Sequence, residues 1–382
     1  RFLQKLLERG YEPYLVSFHP QKAQFQMGGV KYFHYYPRIP RMKSLAIGLR
    51  LRKLLKQIKP NILHTGVIQS HGLYGALSGF HPTLLMPWGS DILHTPDTSL
   101  IMRWITKYTI KRADMIICDC ELVKRKIMDL AHYPEEKIVV FPWGIDLTLF
   151  QPKPNSIRTE LGWADNKVLI MTRTFYPIYG IEFFIEALPQ IIKEEPQTKV
   201  ILVGSGPLEN HYRQRISQLG LEDYIHFTGN VEQSLMSQYL NASDIYVTTT
   251  LTDGTSSSLL EAMACGLPVV VPDAPTYFEW VEDGVNGYIV PRGNSPRLAP
   301  RIAEFLKKPE LWYNTVPWSP DASPSRDQPS PLVDRIIQLL KNPELRQLMG
   351  RRNYEIAQDR ANWDRNFNKL EGLYRILASK RV

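Results

Sequence analysis

Short, wholly apolar runs bounded by Gly, Pro, Asn or Asp alternate along the chain with longer segments whose apolar residues recur every three or four positions. Runs such as Val168-Leu-Ile-Met171 and Val269-Val-Val271 lack polar alternation, the pattern of strands buried on both faces of a helix-covered parallel sheet. In the first half the pattern predicts strands at Pro13–Phe18, Lys31–Tyr36, Asn61–His64, Thr83–Pro87, Asp114–Cys118 and Lys137–Phe141. In the second half it predicts strands at Val168–Thr172, Lys199–Gly204, Ile225–Thr228, Asp244–Thr248 and Pro268–Pro272, with helices near 180–194, 207–219, 232–241 and 256–265. The expected fold class is α/β, with two doubly wound, Rossmann-like parallel-sheet domains.

A proline-punctuated break, Phe141-Pro-Trp-Gly-Ile-Asp146 followed by Phe150-Gln-Pro-Lys-Pro154, separates the two patterns. It sets the expected domains at 1–145 and 155–362, with a hinge at 146–154. Arg301–Leu311 recurs as Arg335–Leu345 across a proline-rich link at 317–331, so a duplicated insertion is expected near 309–342. One repetition is too few for a solenoid. The first ten residues already have the spacing of a helix that stops at Gly10.

With 382 residues, 43% hydrophobic and 22% charged, the chain can bury two cores. Cys118, Cys120 and Cys265 lack the paired spacing of a zinc site or a disulfide framework, which fits a reducing, cytoplasmic compartment. No run approaches the roughly 18–20 apolar residues of a membrane span. The net charge of +8 is uneven: residues 1–130 hold 20 Lys and Arg against 8 Asp and Glu, and the rest of the chain is net negative. Zinc-finger, RRM and KH signatures are absent, which disfavours nucleic acid, whereas residues 41–56 read as a basic amphipathic helix. That helix either meets an anionic membrane surface as a peripheral contact or packs its Leu stripe on its own domain with Lys and Arg in water.

The chemistry concentrates in Asp253-Gly-Thr-Ser-Ser-Ser-Leu-Leu-Glu261 and the apolar run that follows Gly266. Gly254, Thr255, Ser257 and Ser258 can open a helix whose unpaired N–H groups face a diphosphate, and a wholly helical segment would set the two carboxylates roughly 12 Å apart. By itself the same stretch also reads as an N-capping Asp before an ordinary helix that stops at Gly266.

Gly266-Leu-Pro-Val-Val-Val-Pro272 and Glu279-Trp-Val-Glu-Asp-Gly-Val-Asn-Gly-Tyr-Ile-Val-Pro291 resemble the donor-binding region of the retaining GT-B glycosyltransferases of family four. The resemblance implies two domains facing a cleft, a nucleoside-diphosphate sugar as donor substrate, no metal and no cofactor. It also implies an N-terminal strand and glycine-bearing loop ahead of the first helix, and a C-terminal helix, 363–382, that completes the first domain. Asp253 inherits the place beside the donor sugar and Glu261 the place on the ribose, with Asp standing where the family has a first Glu. Arg173 falls where the family has a phosphate-binding Arg, but Tyr179 occupies the position of the Lys expected before Gly180. Gly144, Gly204 and Val231 match other donor-side loops. On the acceptor side Asp91, His71 and Trp88 are candidates, Trp88 standing where many members carry a His; Asp91 reads equally as a helix cap and His64 as a packed histidine.

The expectation is a hexosyltransferase of polysaccharide biosynthesis that uses a saccharide or lipid-linked acceptor. Two other readings remain: a GT-B nucleotide-sugar epimerase, and a dinucleotide-binding protein using the Gly204-Ser-Gly206 turn, whose fingerprint lacks its third glycine.

Overall fold

The computed structural model describes residues 2–18, 27–35, 43–251, 253–291 and 330–379. Residues 41–42 of the basic segment, the first copy of the repeat and the link at 317–329 lie outside them. The chain forms two compact units, one of residues 1–117, 127–139 and 374–382, the other of 118–126 and 140–373.

In the first unit β1 (Tyr14–Ser17) and β2 (Lys31–His34) pair in parallel as a small separate sheet. A second sheet has the order β3 (Leu63–Gly66), β4 (Thr83–Met86), β5 (Met115–Cys118), β6 (Ile138–Val140), with β3, β4 and β5 parallel. Its helices are α1 (Phe2–Glu8), α2 (Lys43–Ile58), α3 (Leu73–Ser78), α4 (Ser90–Leu93) and α5 (Leu100–Arg112), and α6 (Glu121–Ala131) continues into it from the other unit. The i, i+4 spacing of Ile47, Leu51 and Leu55 buries one stripe of α2 against Phe18 and Tyr74. Gly48 lets α2 approach α3, since a Cβ there would meet the Leu77 side chain at 2.6 Å.

The second unit holds one six-stranded parallel sheet, ordered β12-β11-β10-β7-β8-β9. These strands are β7 (Lys167–Thr172), β8 (Thr198–Val203), β9 (Ile225–Gly229), β10 (Ile245–Val247), β11 (Val269–Pro272) and β12 (Gly287–Val290). The unit's first strand sits centrally and the fourth joins it on the opposite side from the second, which is the doubly wound order. Successive β7 residues enter opposite cores: Leu169 and Met171 pack on one face, Val168 and Ile170 on the other. Covering helices are α7 (Ile157–Glu160), α8 (Ile181–Glu194), α9 (Glu209–Gln218), α10 (Gln233–Asn241) and α11 (Ser257–Ala264).

Three helices close the described chain: α12 (Pro331–Lys341), α13 (Pro343–Arg360) and α14 (Trp363–Ser379), the last passing into the first unit. The repeat copy at 335–345 is thus the apolar face of α12 and the first turn of α13, and α12 contributes Leu332, Ile336, Leu339 and Leu340 to the core. Neither α12 nor β12 stood among the expected elements: α12 coincides with most of the second repeat copy, and β12 opens on Gly287, three residues after Gly284. α13 braces α11 from behind. Gly350 lies so close to Gly266 that a Cβ would come 2.0 Å from the Gly266 carbonyl, and buried Asn353 donates to the Leu267 and Asn286 carbonyls at 2.7 Å each.

Candidate active site

In a doubly wound sheet the chain leaves in opposite directions from the two central strands, opening a crevice at their carboxyl ends. Here those strands are β7 and β10. Arg173 is the first residue after β7, and Asp253 follows the Thr248–Thr250 segment after β10. Their side chains meet, Nη2 of Arg173 lying 2.8 Å from Oδ2 of Asp253, with only 10% and 24% of the side chains exposed.

The same Nη2 donates to the Tyr277 hydroxyl at 3.2 Å and to the Ser256 hydroxyl. The guanidinium also lies over the Tyr179 ring, 5.1 Å from its centroid. Tyr179 therefore supplies a cation–π partner at the position where a second cation was expected, which favours the single charge already there. Arg173 Nε is buried without a hydrogen-bond partner among the described residues, a cost that an incoming acceptor oxygen would remove.

Ser256 has a second task, because its Oγ caps α11 by accepting from the Leu259 N–H at 3.3 Å. Along α11, Leu259, Leu260, Ala262 and Met263 are buried, whereas Ser257 is exposed and Ser258 and Glu261 are partly exposed. Positions 257, 258 and 261 share one helical face by their i, i+3, i+4 spacing. Only the second half of the 253–261 segment is helical, so the single-helix separation expected for the two carboxylates does not apply; a loop turns Asp253 onto Arg173 instead.

Backbone packing holds the Arg173 loop. Gly180, at φ +58°, lies against the Thr249 carbonyl, and Leu251 N–H donates to the Ile178 carbonyl at 3.0 Å. Gly204, at φ +135°, approaches so closely that a Cβ would sit 2.1 Å from the Arg173 carbonyl. The Gly-Ser-Gly turn thus supports the Arg173 loop from behind. Gly144, at φ +78°, packs on the backbone of 361–363, and Val231 is partly buried against the core.

The sequence reading missed Asp119, Tyr277 and Tyr246. Asp119 accepts from the Thr255 N–H at 2.8 Å through Oδ2, and its carbonyl accepts from the Thr255 hydroxyl at 2.7 Å. Gly254 is required beside it, since a Cβ would lie 2.5 Å from Oδ2. Burial pushes the Asp119 carboxyl up to about 6; the Thr255 N–H opposes the shift and Asp253 adds to it. Tyr246 is fully buried and donates to Ser258 Oγ at 3.1 Å. The only signal for Asp119 was an acid at a strand-to-helix turn, and the two tyrosines resembled core residues.

The first unit places its candidates differently. Asp91 is 5% exposed, and its carboxylate accepts from the Ile68 N–H and the Trp88 N–H, both at 2.9 Å. It anchors the π-helical turn Ile68–Gly72, which begins after Val67 at φ 49°, a strained value for a β-branched residue. Asp91 lies inside α4, whose N-cap is Gly89 without a side-chain bond, so it does not cap that helix; its carboxylate ties the Ile68 turn to the loop at Trp88. Trp88 is 62% exposed, its indole lying over Gly66, and His71 is exposed with its ring near Phe18 and Tyr74. His64 Nδ1 lies 2.6 Å from the Tyr374 hydroxyl, and burial drives its ring down to about 4, so it packs as a neutral histidine at neutral pH.

Two parallel α/β units, the second with its polar site at the switch point, define a GT-B protein. The family description "Glycosyl transferases group 1" matches residues 155–315 and "Glycosyl transferase 4-like" matches 1–120; the chain belongs to these group 1, family-four glycosyltransferases. It is similar to alpha-monoglucosyldiacylglycerol synthase of Streptococcus pneumoniae, 26% identical over 62% of this chain and 57% of that protein. The chain spans about half the length of the curated relatives it matches. In fold it is similar to Anabaena HepE in complex with UDP and glucose, with a TM-score of 0.69, 22% identity and coverage of 98% of this chain and 89% of that one. It is also similar to sucrose-phosphate synthase from Thermosynechococcus elongatus, with a TM-score of 0.75, 18% identity and coverage of 99% and 93%.

Proposed function

We propose that this chain transfers a hexosyl group from a nucleoside-diphosphate sugar to a saccharide or lipid-linked acceptor, with retention at the anomeric carbon and without a metal ion, at a cytoplasmic membrane face. The observation that carries the reading is the Arg173–Asp253 pair at the switch point, beside the capped N-terminus of α11.

Departure of a nucleoside diphosphate builds negative charge on phosphate oxygens, and transfer speeds up to the extent that fixed positive groups meet that charge. Arg173 offers a guanidinium whose Nε has no other partner among the described residues, and the first N–H groups of α11 add a partial charge of the same sign. Together they fill the part a divalent cation plays in other transferases. Asp253 both orients Arg173 and offers a carboxylate to sugar hydroxyls, and Glu261, farther along the partly exposed face of α11, takes the ribose. No side chain needs to act as a nucleophile, because an acceptor hydroxyl held on the face the diphosphate leaves can give its proton to the departing phosphate.

HepE's complex with UDP and glucose and the lipid product named for the pneumococcal relative support uridine sugars and a lipid acceptor as the first substrates to try. A thermal-shift panel of UDP, GDP, ADP, their sugar conjugates and NAD tests the reading. A ligand at about 100 times its Kd adds roughly 2.7 kcal/mol to stability. Stabilisation by one nucleoside diphosphate and its sugars is expected; a response to NAD alone would overturn the proposal.

A further inference from the structure

We propose that the first unit docks on an anionic lipid bilayer through the opening turns of α5, with Leu100, Ile101 and Trp104 entering the interface. The inference rests on the lipid-facing part of the proposed function and narrows it to one surface.

Leu100 is 86% exposed, Ile101 68% and Trp104 63%. Such residues exposed singly are ordinary, but three within two turns of one helix form a patch. They are held rigidly, because Ser99 caps the helix by accepting from the Met102 N–H at 3.1 Å and Trp104 stacks on Tyr108 at 5.5 Å. The opposite face carries Thr106, Thr109 and Ile110, all fully or nearly fully buried, so α5 is anchored by one side and presents the other.

Helical spacing puts Lys107 and Lys111 on the same stripe as Leu100 and Trp104, at i+7 and i+11. α5 contains Arg103, Lys107, Lys111 and Arg112 and no acidic residue. Apolar anchors followed by basic residues suit the boundary between headgroups and acyl chains of an anionic bilayer. The same charges oppose a second copy of the chain as occupant, because a two-fold contact would set α5 against itself.

A second helix agrees. α3 packs against both α2 and α5, and the described part of α2 exposes Leu45 and Leu49 beside Arg50, Arg52, Lys53 and Lys56. α5 runs back from the carboxyl end of β4 to start β5, so its first turn lies at that end of the sheet. Trp88, after β4, opens at the same end. A lipid-linked acceptor could then meet the first unit without its carrier leaving the bilayer.

The test is sedimentation of the protein with vesicles of phosphatidylcholine alone and of an equal mixture with phosphatidylglycerol, at low and high salt. The expected result is salt-sensitive binding to the mixed vesicles only, reduced at least about tenfold by Leu100→Ser/Ile101→Ser/Trp104→Ser with the unfolding temperature unchanged. Brominated lipid should quench the wild-type fluorescence more than that of Trp104→Phe, a readout that leaves the fold untouched. Undiminished binding by the triple variant, no binding by the wild type, or a wild-type dimer in light scattering that the triple variant dissolves would each overturn the proposal. Sedimentation uses neither nucleotide nor acceptor, so its failure leaves the donor reading standing, and silence in the nucleotide panel leaves this one.

Discussion

The carboxyl end of the second unit's central strands and that of the first unit's sheet have the same architecture, yet they dispose of their polar groups in opposite ways. At the second, Arg173, Asp253, Ser256 and Tyr277 converge on one another, and the guanidinium keeps a buried donor in reserve. At the first, the buried carboxylate of Asp91 is consumed by two backbone N–H groups, while Trp88 and His71 stand toward solvent. One site is assembled before any ligand arrives; the other is a scaffold that holds a strained turn and presents ring surfaces. A charged leaving group needs oriented dipoles in place in advance, whereas a sugar or lipid acceptor can be held by shape and stacking.

The most severe test of this contrast is Arg173→Ala. Transfer should fall by about a hundredfold or more, as when a charge-stabilising donor is removed, and Asp253 would be left half-buried without its partner. Initial rates with the donor identified by thermal shift check this, and near-normal turnover would end the assignment of the site. Arg173→Lys should recover little, since an ammonium cannot reproduce the planar fork.

Asp91→Ala comes next and reads out on stability. It strands two buried N–H groups at about 1–3 kcal/mol each, so denaturant unfolding of the first unit should weaken by several kcal/mol. Nucleotide affinity should not change. A variant that unfolds normally but loses transfer would reverse the contrast and make Asp91 a substrate ligand.

Within the second unit, Glu261→Ala should weaken nucleoside-diphosphate binding, and Asp253→Ala should chiefly spoil transfer or sugar choice. Equal losses of bare nucleotide affinity in titration calorimetry would break that division.

Asp119 gives a smaller, pH-dependent effect. Its folded value is raised from 3.8 to about 6. The folded chain therefore binds the proton more tightly than the unfolded one. The stability this contributes is fully present below the unfolded value and is lost as pH rises through about 6, at most about 3 kcal/mol in all. Asp119→Asn keeps an oxygen for the Thr255 N–H and should flatten the dependence of unfolding temperature on pH between 4 and 6. An unchanged slope would remove Asp119 from the account. Least of all, Tyr179→Leu should cost about 1 kcal/mol or less by removing the cation–π contact.

The strands were legible because a strand covered on both faces must be continuously apolar, and that leaves a short, unbroken run with few other interpretations. The first unit's six and five of the second's stand within a few residues of where the runs place them. β12 was overlooked inside a glycine-rich stretch, and α12 behind a repeat whose first copy lies outside the described residues. For the site, Arg173, Asp253 and Glu261 could be singled out because charged residues at strand ends and helix starts are unusual beside so apolar a frame. Asp119 could not, because its interest lies in Thr255, well over a hundred residues away in the chain.

By itself, then, the order of residues determined which segments are strands and helices, that two parallel sheets follow in succession, and where charge stands against apolar runs. These depend on neighbours along the chain. Only the tertiary structure decided that Arg173 pairs with Asp253, that Tyr179 lies under the guanidinium instead of a second cation, that Asp91 is consumed by the backbone of the Ile68 turn and of Trp88, and that α5 rather than α2 presents the larger apolar patch. Each of those is settled by which strand ends the sheet order brings together and which helix faces packing leaves uncovered, and no local pattern encodes either.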